Sequence, residues 1–91
     1  MDLATFRAQY PEFELAPDPV VQAALDNATA ITPLSVWLAL QGQGIGLRAA
    51  KALALAPFAR NMALVAKDGS TVYDGRLDEL IEVVAMGGLV I

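Results

Sequence analysis

Apolar positions recur at helical spacing in several stretches of the chain, and prolines and glycines separate them. Asp2 is suited to cap a first short helix from Leu3 to about Gln9, because its side chain can take up an orphan backbone N–H. Pro11 ends that helix, since the residue before a proline is pushed out of the helical region. Phe6, Tyr10 and Phe13 put three aromatic side chains into one short stretch and should pin it to the body. Asp18-Pro19 is a second start signal, with Asp as N-cap and Pro at the first helical position. It opens a helix from Pro19 to about Ile31 that carries Val21, Ala24, Leu25, Ala28 and Ile31 on one face. Thr32-Pro33 repeats the signal and opens a short helical turn through Trp37 to about Leu40.

The next segment, Gln41 to Gly46, reads QGQGIG, and three glycines at alternate positions predict a flexible corner. A long Ala-rich helix is predicted from Leu47 to about Lys67, kinked or split near Ala56 by Pro57. Apolar residues lie on nearly every side of it, the pattern of a helix buried all round. A chain this short cannot easily cover such a helix alone, so packing against a neighbouring subunit is expected. Asp68-Gly69 and Asp74-Gly75 bracket Ser70 to Tyr73, turn chemistry around one short extended piece. A last helix is predicted from Arg76 to about Met86. Leu77, Leu80, Ile81 and Val84 form its inner stripe, while Asp78, Glu79 and Glu82 face out. Gly87-Gly88 should stop it and leave Leu89-Val90-Ile91 as an apolar tail. The predicted fold is mainly α: a small bundle of about four helices, with one long kinked helix and a hairpin-like segment near 70–74. Residues 1–88 make one domain and 89–91 its tail.

Composition sharpens this picture. Hydrophobic residues make up 56% of the 91 positions before the 7 Gly are counted. Ordinary domains reach about 45–50% with glycine included. The surplus predicts surface that another molecule covers. Cysteine and histidine are both absent. That removes a disulfide framework, a thiolate metal site, a Cys nucleophile and the commonest general base. Ser35 and Ser70 have no His to activate them. Gly42-x-Gly44-x-Gly46 lacks the spacing of a dinucleotide fingerprint and follows no strand. Asp78 and Glu82 share a helix face at i, i+4, but a solvated face explains them. No enzyme activity, cofactor or metal is therefore expected. The opening ten residues carry Asp2 and Arg7 and no apolar run after a basic start, so they do not read as a secretory signal. No window of about 20 residues is apolar enough to span a membrane.

The formal charge is −4, which argues against non-specific nucleic-acid binding. It is also segregated. Residues 1–33 carry five acids and Arg7, and 68–91 carry five acids and Arg76. Between them, 34–67 holds Arg48, Lys51, Arg60 and Lys67 and no acid. Acidic ends around a basic middle suit either plain helix-surface decoration or head-to-tail pairing between copies.

Phe6-Arg7-Ala8-Gln9-Tyr10-Pro11-Glu12-Phe13 resembles the F-R-x-x-[FY]-P-E-F opening of a family of short tailed-phage proteins. Pro17, Asp18, Val21 and Leu25 match the start of that family's second helix, Trp37 its following Trp, and Ala49 to Ala56 its Ala/Leu-rich helix. The likeness covers about Leu3 to Leu64. The chain differs in having no His in the Ala-rich helix and only a short stretch after it. These proteins are similar to head–tail connectors, also called adaptors or head-completion proteins. The resemblance implies a structural virion protein at the head–tail junction, assembled in the bacterial cytoplasm. Copies would form a homo-oligomeric ring that docks on the portal protein and on a tail-side neck or terminator protein. Genomic DNA would pass through without sequence-specific binding. On this reading Trp37, Arg48, Lys51 and Arg60 are candidate subunit contacts, and Leu89, Val90 and Ile91 candidate docking residues. The alternative expectation is a small helical module, a phage or bacterial regulator, that binds one partner without forming a ring.

Overall fold

Asp2 opens the first helix as its chemistry requires. Its carboxylate accepts the backbone N–H of Thr5 at 2.7 Å, and that bond holds the carboxyl below its ordinary range. The computed structural model describes residues 1–56, 64–65 and 69–90, with side chains in the last helix described as far as Ala85. Helix α1 spans Leu3–Gln9, and a 3₁₀ turn at Pro11–Phe13 follows it. Helix α2 spans Asp18–Ala30. The capping position belongs to Pro17, which offers no side-chain bond. Asp18 is the first helical residue and pairs instead with Arg7, so the cap expected of it is not made.

Thr32 likewise does not cap the following turn. Its hydroxyl donates back to the Ala28 carbonyl at 2.7 Å, at the end of α2. Helix α3 is a single turn, Leu34–Trp37, continued by a 3₁₀ turn at Leu38–Leu40. Leu38 has φ 49° and ψ −126°, a left-handed conformation that costs an L-residue of order 1–3 kcal/mol.

Helix α4 spans Gln41–Ala54, so the glycine run is helix and not the flexible corner its composition predicts. Tertiary packing is the reason. A Cβ on Gly44 would lie 2.7 Å from two Trp37 ring atoms and 3.1 Å from the Thr32 methyl. One on Gly46 would lie 3.1 Å from Met1 Cε and 3.2 Å from the Tyr10 ring. At Gly44 the Trp37 ring leaves no room for a side chain, and at Gly46 a Cβ would be tight against Met1 and Tyr10.

At its far end α4 gives way at Leu55 and Ala56, immediately before Pro57. It does not reach Lys67, since Val65 forms an antiparallel bridge with Thr71. The Val72 N–H donates to the Leu64 carbonyl at 3.0 Å across the same turn, and Gly69 supplies its positive φ of 88°. This is the hairpin-like piece expected near 70–74. The kink expected at Pro57 lies outside the described residues.

Helix α5 spans Asp74–Val90. Asp74 and Gly75 are its first residues and not a turn, and Gly87-Gly88 does not stop it. The backbone of Leu89 and Val90 therefore continues the helix, where the sequence predicts a separate tail. Each internal glycine weakens such a helix by about 1 kcal/mol without forbidding it.

The core forms around α4. Ile45, Leu47, Ala49, Ala50 and Leu53 are buried, chiefly against α2 and α5, with Val21, Leu25 and Leu77 among their companions. A second focus is aromatic. Phe6 stacks on Tyr10 at 4.9 Å and on Phe13 at 6.0 Å, and Tyr73 closes the group edge-on to Tyr10 at 5.9 Å. The chain is thus a small, mainly helical bundle whose own elements cover most of α4.

Candidate functional site

Arg7 organises the corner between α1 and α2. Its guanidinium donates to the carbonyls of Phe13 at 3.0 Å, Glu14 at 3.2 Å and Ala16 at 2.7 Å. It also pairs with the Asp18 carboxylate. A planar fork spreads five donors over three nitrogens and can reach acceptors set apart along a loop, whereas a lysine has three donors on a single nitrogen. The loop between Phe13 and Asp18 is therefore fastened along its length, yet Leu15 in its middle is 91% exposed. Glu14 beside it is also exposed.

The opposite end of α2 carries an apolar groove of about 340 Å³, lined by Ile31, Arg48, Lys51, Ala52, Leu55 and Leu77. Ile31 lies just past the helix end and is 61% exposed, so it leaves the buried face that Val21, Ala24, Leu25 and Ala28 share. Leu34, Val36 and Leu38 continue the exposed apolar surface along the chain from it, and Leu55 adds to it just past the end of α4. Ile81, expected on the inner stripe of α5, is half-exposed, while Leu77 is buried.

The basic residues of this groove are held locally. Arg48 donates to the Ile31 carbonyl and to Thr32 Oγ1. Its guanidinium lies 5.0 Å from the centre of the Trp37 ring, a cation–π distance. Among the described residues no carboxylate forms an ion pair with Arg48. Lys51 lies 3.5 Å from the Asp74 carboxylate. The Thr71 hydroxyl donates to the same carboxylate at 2.6 Å, and that bond first, with Lys51 contributing, holds the Asp74 carboxyl below its ordinary range.

Of the residues singled out from sequence, Arg48 and Lys51 meet at one groove. Trp37 is buried beneath Arg48 and against Gly44, so within the single chain it is a core residue. Arg60 and Ile91 lie outside the described residues, and the side chains of Leu89 and Val90 are not described. Leu15 and the groove's apolar wall were not legible as a site. The one available signal was an apolar residue in an acidic, proline-flanked loop, out of phase with both neighbouring helices.

Among the described residues no group of three or more Asp or Glu could hold a metal ion. No helix there is long and apolar enough to cross a membrane. Comparison with known protein families, curated proteins and solved structures gives no match.

Proposed function

We propose that this chain is a head–tail connector subunit of a tailed phage, a structural protein whose copies form a ring between portal and tail. The observation that carries the reading is the Phe6–Phe13 motif and the corner it builds. Each of its characteristic residues has work there. Phe6, Tyr10 and Phe13 form the aromatic cluster, Arg7 fastens the following loop, and Glu12 accepts a hydrogen bond from Tyr73. The exposed apolar side chains from Ile31 to Leu38 and at Leu15 and Leu55 suit a protein that lives in an assembly.

The mechanism is scaffolding. The ring would extend the DNA channel and present a matched platform to the tail. An acidic chain lets DNA slide past without being held, because phosphate binding needs a basic surface. No bond is made or broken in this role, and no residue is assigned to catalysis.

The test is to mix the purified chain with the portal protein of its own phage and to image the product by negative stain. Annular particles seated on the portal are the expected result. A stable one-to-one complex with some other partner, without annuli, would favour a regulator that offers the Ile31–Leu77 groove to a single helix.

A further inference from the structure

We infer that the Leu15 loop of one copy docks into the Ile31–Ala52–Leu55–Leu77 groove of a second copy, making a head-to-tail contact. The inference deepens the connector reading and rests on its premise that copies associate; it is silent on what the assembly docks onto.

Three observations converge on it. First, the loop is built to be rigid. Arg7 binds the carbonyls of Phe13, Glu14 and Ala16, on both sides of Leu15, and the leucine still faces water. A side chain held ready in this way loses little conformational freedom on binding, which is what preorganisation supplies. Second, the groove is apolar and open, and of its two cations Lys51 is paired with Asp74 while Arg48 has a charge to satisfy. Among the described residues Arg48 meets a carbonyl, a hydroxyl and a ring but no carboxylate. Glu14 stands exposed beside Leu15, so the loop offers an apolar knob with a carboxylate, and the groove an apolar hollow with a guanidinium. This is the complementarity that fixes register between partners.

Third, the two surfaces lie at opposite ends of α2. Leu15 precedes its first residue and Ile31 follows its last. A helix of 13 residues is about 20 Å long. One copy cannot fill its own groove with its own loop. Knob and hollow at opposite ends generate a heterologous contact that repeats from copy to copy, and such a contact closes into a ring or runs on as a filament.

Leu15→Glu removes the knob, and Ala52→Glu both fills the hollow and sets a carboxylate one helical turn from Arg48. Both positions are exposed, so the fold should survive, and far-UV circular dichroism checks that it does. In sedimentation velocity the wild-type chain is expected to self-associate, more weakly as ionic strength rises. Each variant alone should associate at least about tenfold more weakly. An equimolar mixture should recover a heterodimer, because it contains one intact loop and one intact groove. Should either glutamate unfold the chain, Leu15→Ser and Ala52→Gln repeat the experiment. A wild type that stays monomeric to about 1 mM, or a mixture that stays monomeric, overturns the contact. Rings that persist in Leu15→Glu overturn it too and leave the connector reading standing. Head-to-tail pairing in a chain that ignores the portal would support the contact and end the connector reading.

Discussion

Tyr73 donates its phenolic hydrogen to the Glu12 carboxylate at 2.6 Å, joining residues 61 positions apart in the sequence. The bond ties the residue just before α5 to the 3₁₀ turn after α1. The Tyr73 ring is buried at this junction, 6.0 Å from Phe13 and 5.9 Å from Tyr10. One polar contact and a cluster of rings thus hold the last helix to the N-terminal corner.

Alkaline pH should release that junction. Burial first, and for Tyr73 the bond to Glu12 second, push the phenols of Tyr10 and Tyr73 above their ordinary value of 10.0. Below that value both phenols are neutral in the folded and the unfolded chain, and their contribution is complete. Above it the unfolded chain ionises while the folded one keeps its protons, so stability falls as pH rises further. The two tyrosines are the only ones in the chain, which makes the phenolate absorbance a direct readout. The signal is expected to rise together with loss of helical circular dichroism. Tyr73→Phe should flatten the decline above pH 10 and lower stability at neutral pH by about 1 kcal/mol, because exposed Glu12 regains water. An absorbance that titrates near pH 10 with the helix signal intact would contradict this.

Gly42→Ala and Gly44→Ala should act in opposite directions, although both sit in the first turn of one helix. Alanine in place of glycine in a helix ordinarily stabilises by about 0.5–1 kcal/mol. A Cβ at Gly42 meets nothing within 4 Å, so Gly42→Ala should show that gain in urea unfolding. At Gly44 the same methyl runs into the Trp37 ring, and overpacking of this kind costs about 1–3 kcal/mol. Because Trp37 is the only tryptophan, its fluorescence should shift in Gly44→Ala and stay put in Gly42→Ala.

The same pair of glycines shows where sequence reasoning stops. Local chemistry sufficed for Asp2, whose cap forms as expected, and for α2, whose period of Val21, Ala24, Leu25 and Ala28 is set within the helix itself. The glycine run looked like a corner because local propensity cannot see Trp37 and Tyr10 arriving from other elements. Asp18 looked like a cap because its competing partner, Arg7, is 11 residues away. The candidate site was legible only in its charges. Arg48 and Lys51 stood out in an acid-free stretch, but the Ile31 carbonyl and the Asp74 carboxylate that hold them lie in other elements. Leu15 carried no periodic signal at all; its exposure follows from how Arg7 fixes the loop around it.

Arg7→Lys should therefore be costly despite keeping the charge. An ammonium is a compact point donor and cannot span the carbonyls of Phe13, Glu14 and Ala16 together with Asp18. Loss of charged hydrogen bonds of this kind is worth roughly 1.5–3 kcal/mol, discounted here because Arg7 is partly exposed and Asp18 largely so. About 1–2 kcal/mol is expected in denaturant unfolding. Backbone amides from Glu14 to Ala16 should exchange with solvent faster than in wild type. Unchanged exchange in that loop would mean that the guanidinium does not hold it.

Leu38→Gly offers the reverse case, a truncation that should stabilise. Leu38 is 61% exposed, so removing its side chain forfeits little burial. Its φ of 49° is a conformation that glycine adopts at no steric penalty, whereas leucine there carries strain of order 1–3 kcal/mol. Glycine also adds freedom to the unfolded chain, at roughly 0.5–1 kcal/mol. Strain relief wins narrowly, and a gain of about 1 kcal/mol in thermal or urea unfolding is expected. Leu38→Ala separates the two contributions, since alanine loses the same exposed side chain but keeps the Cβ and hence the strain. It should fall at or below wild type. A glycine variant no more stable than the alanine one would show that the turn between α3 and α4 relaxes without help.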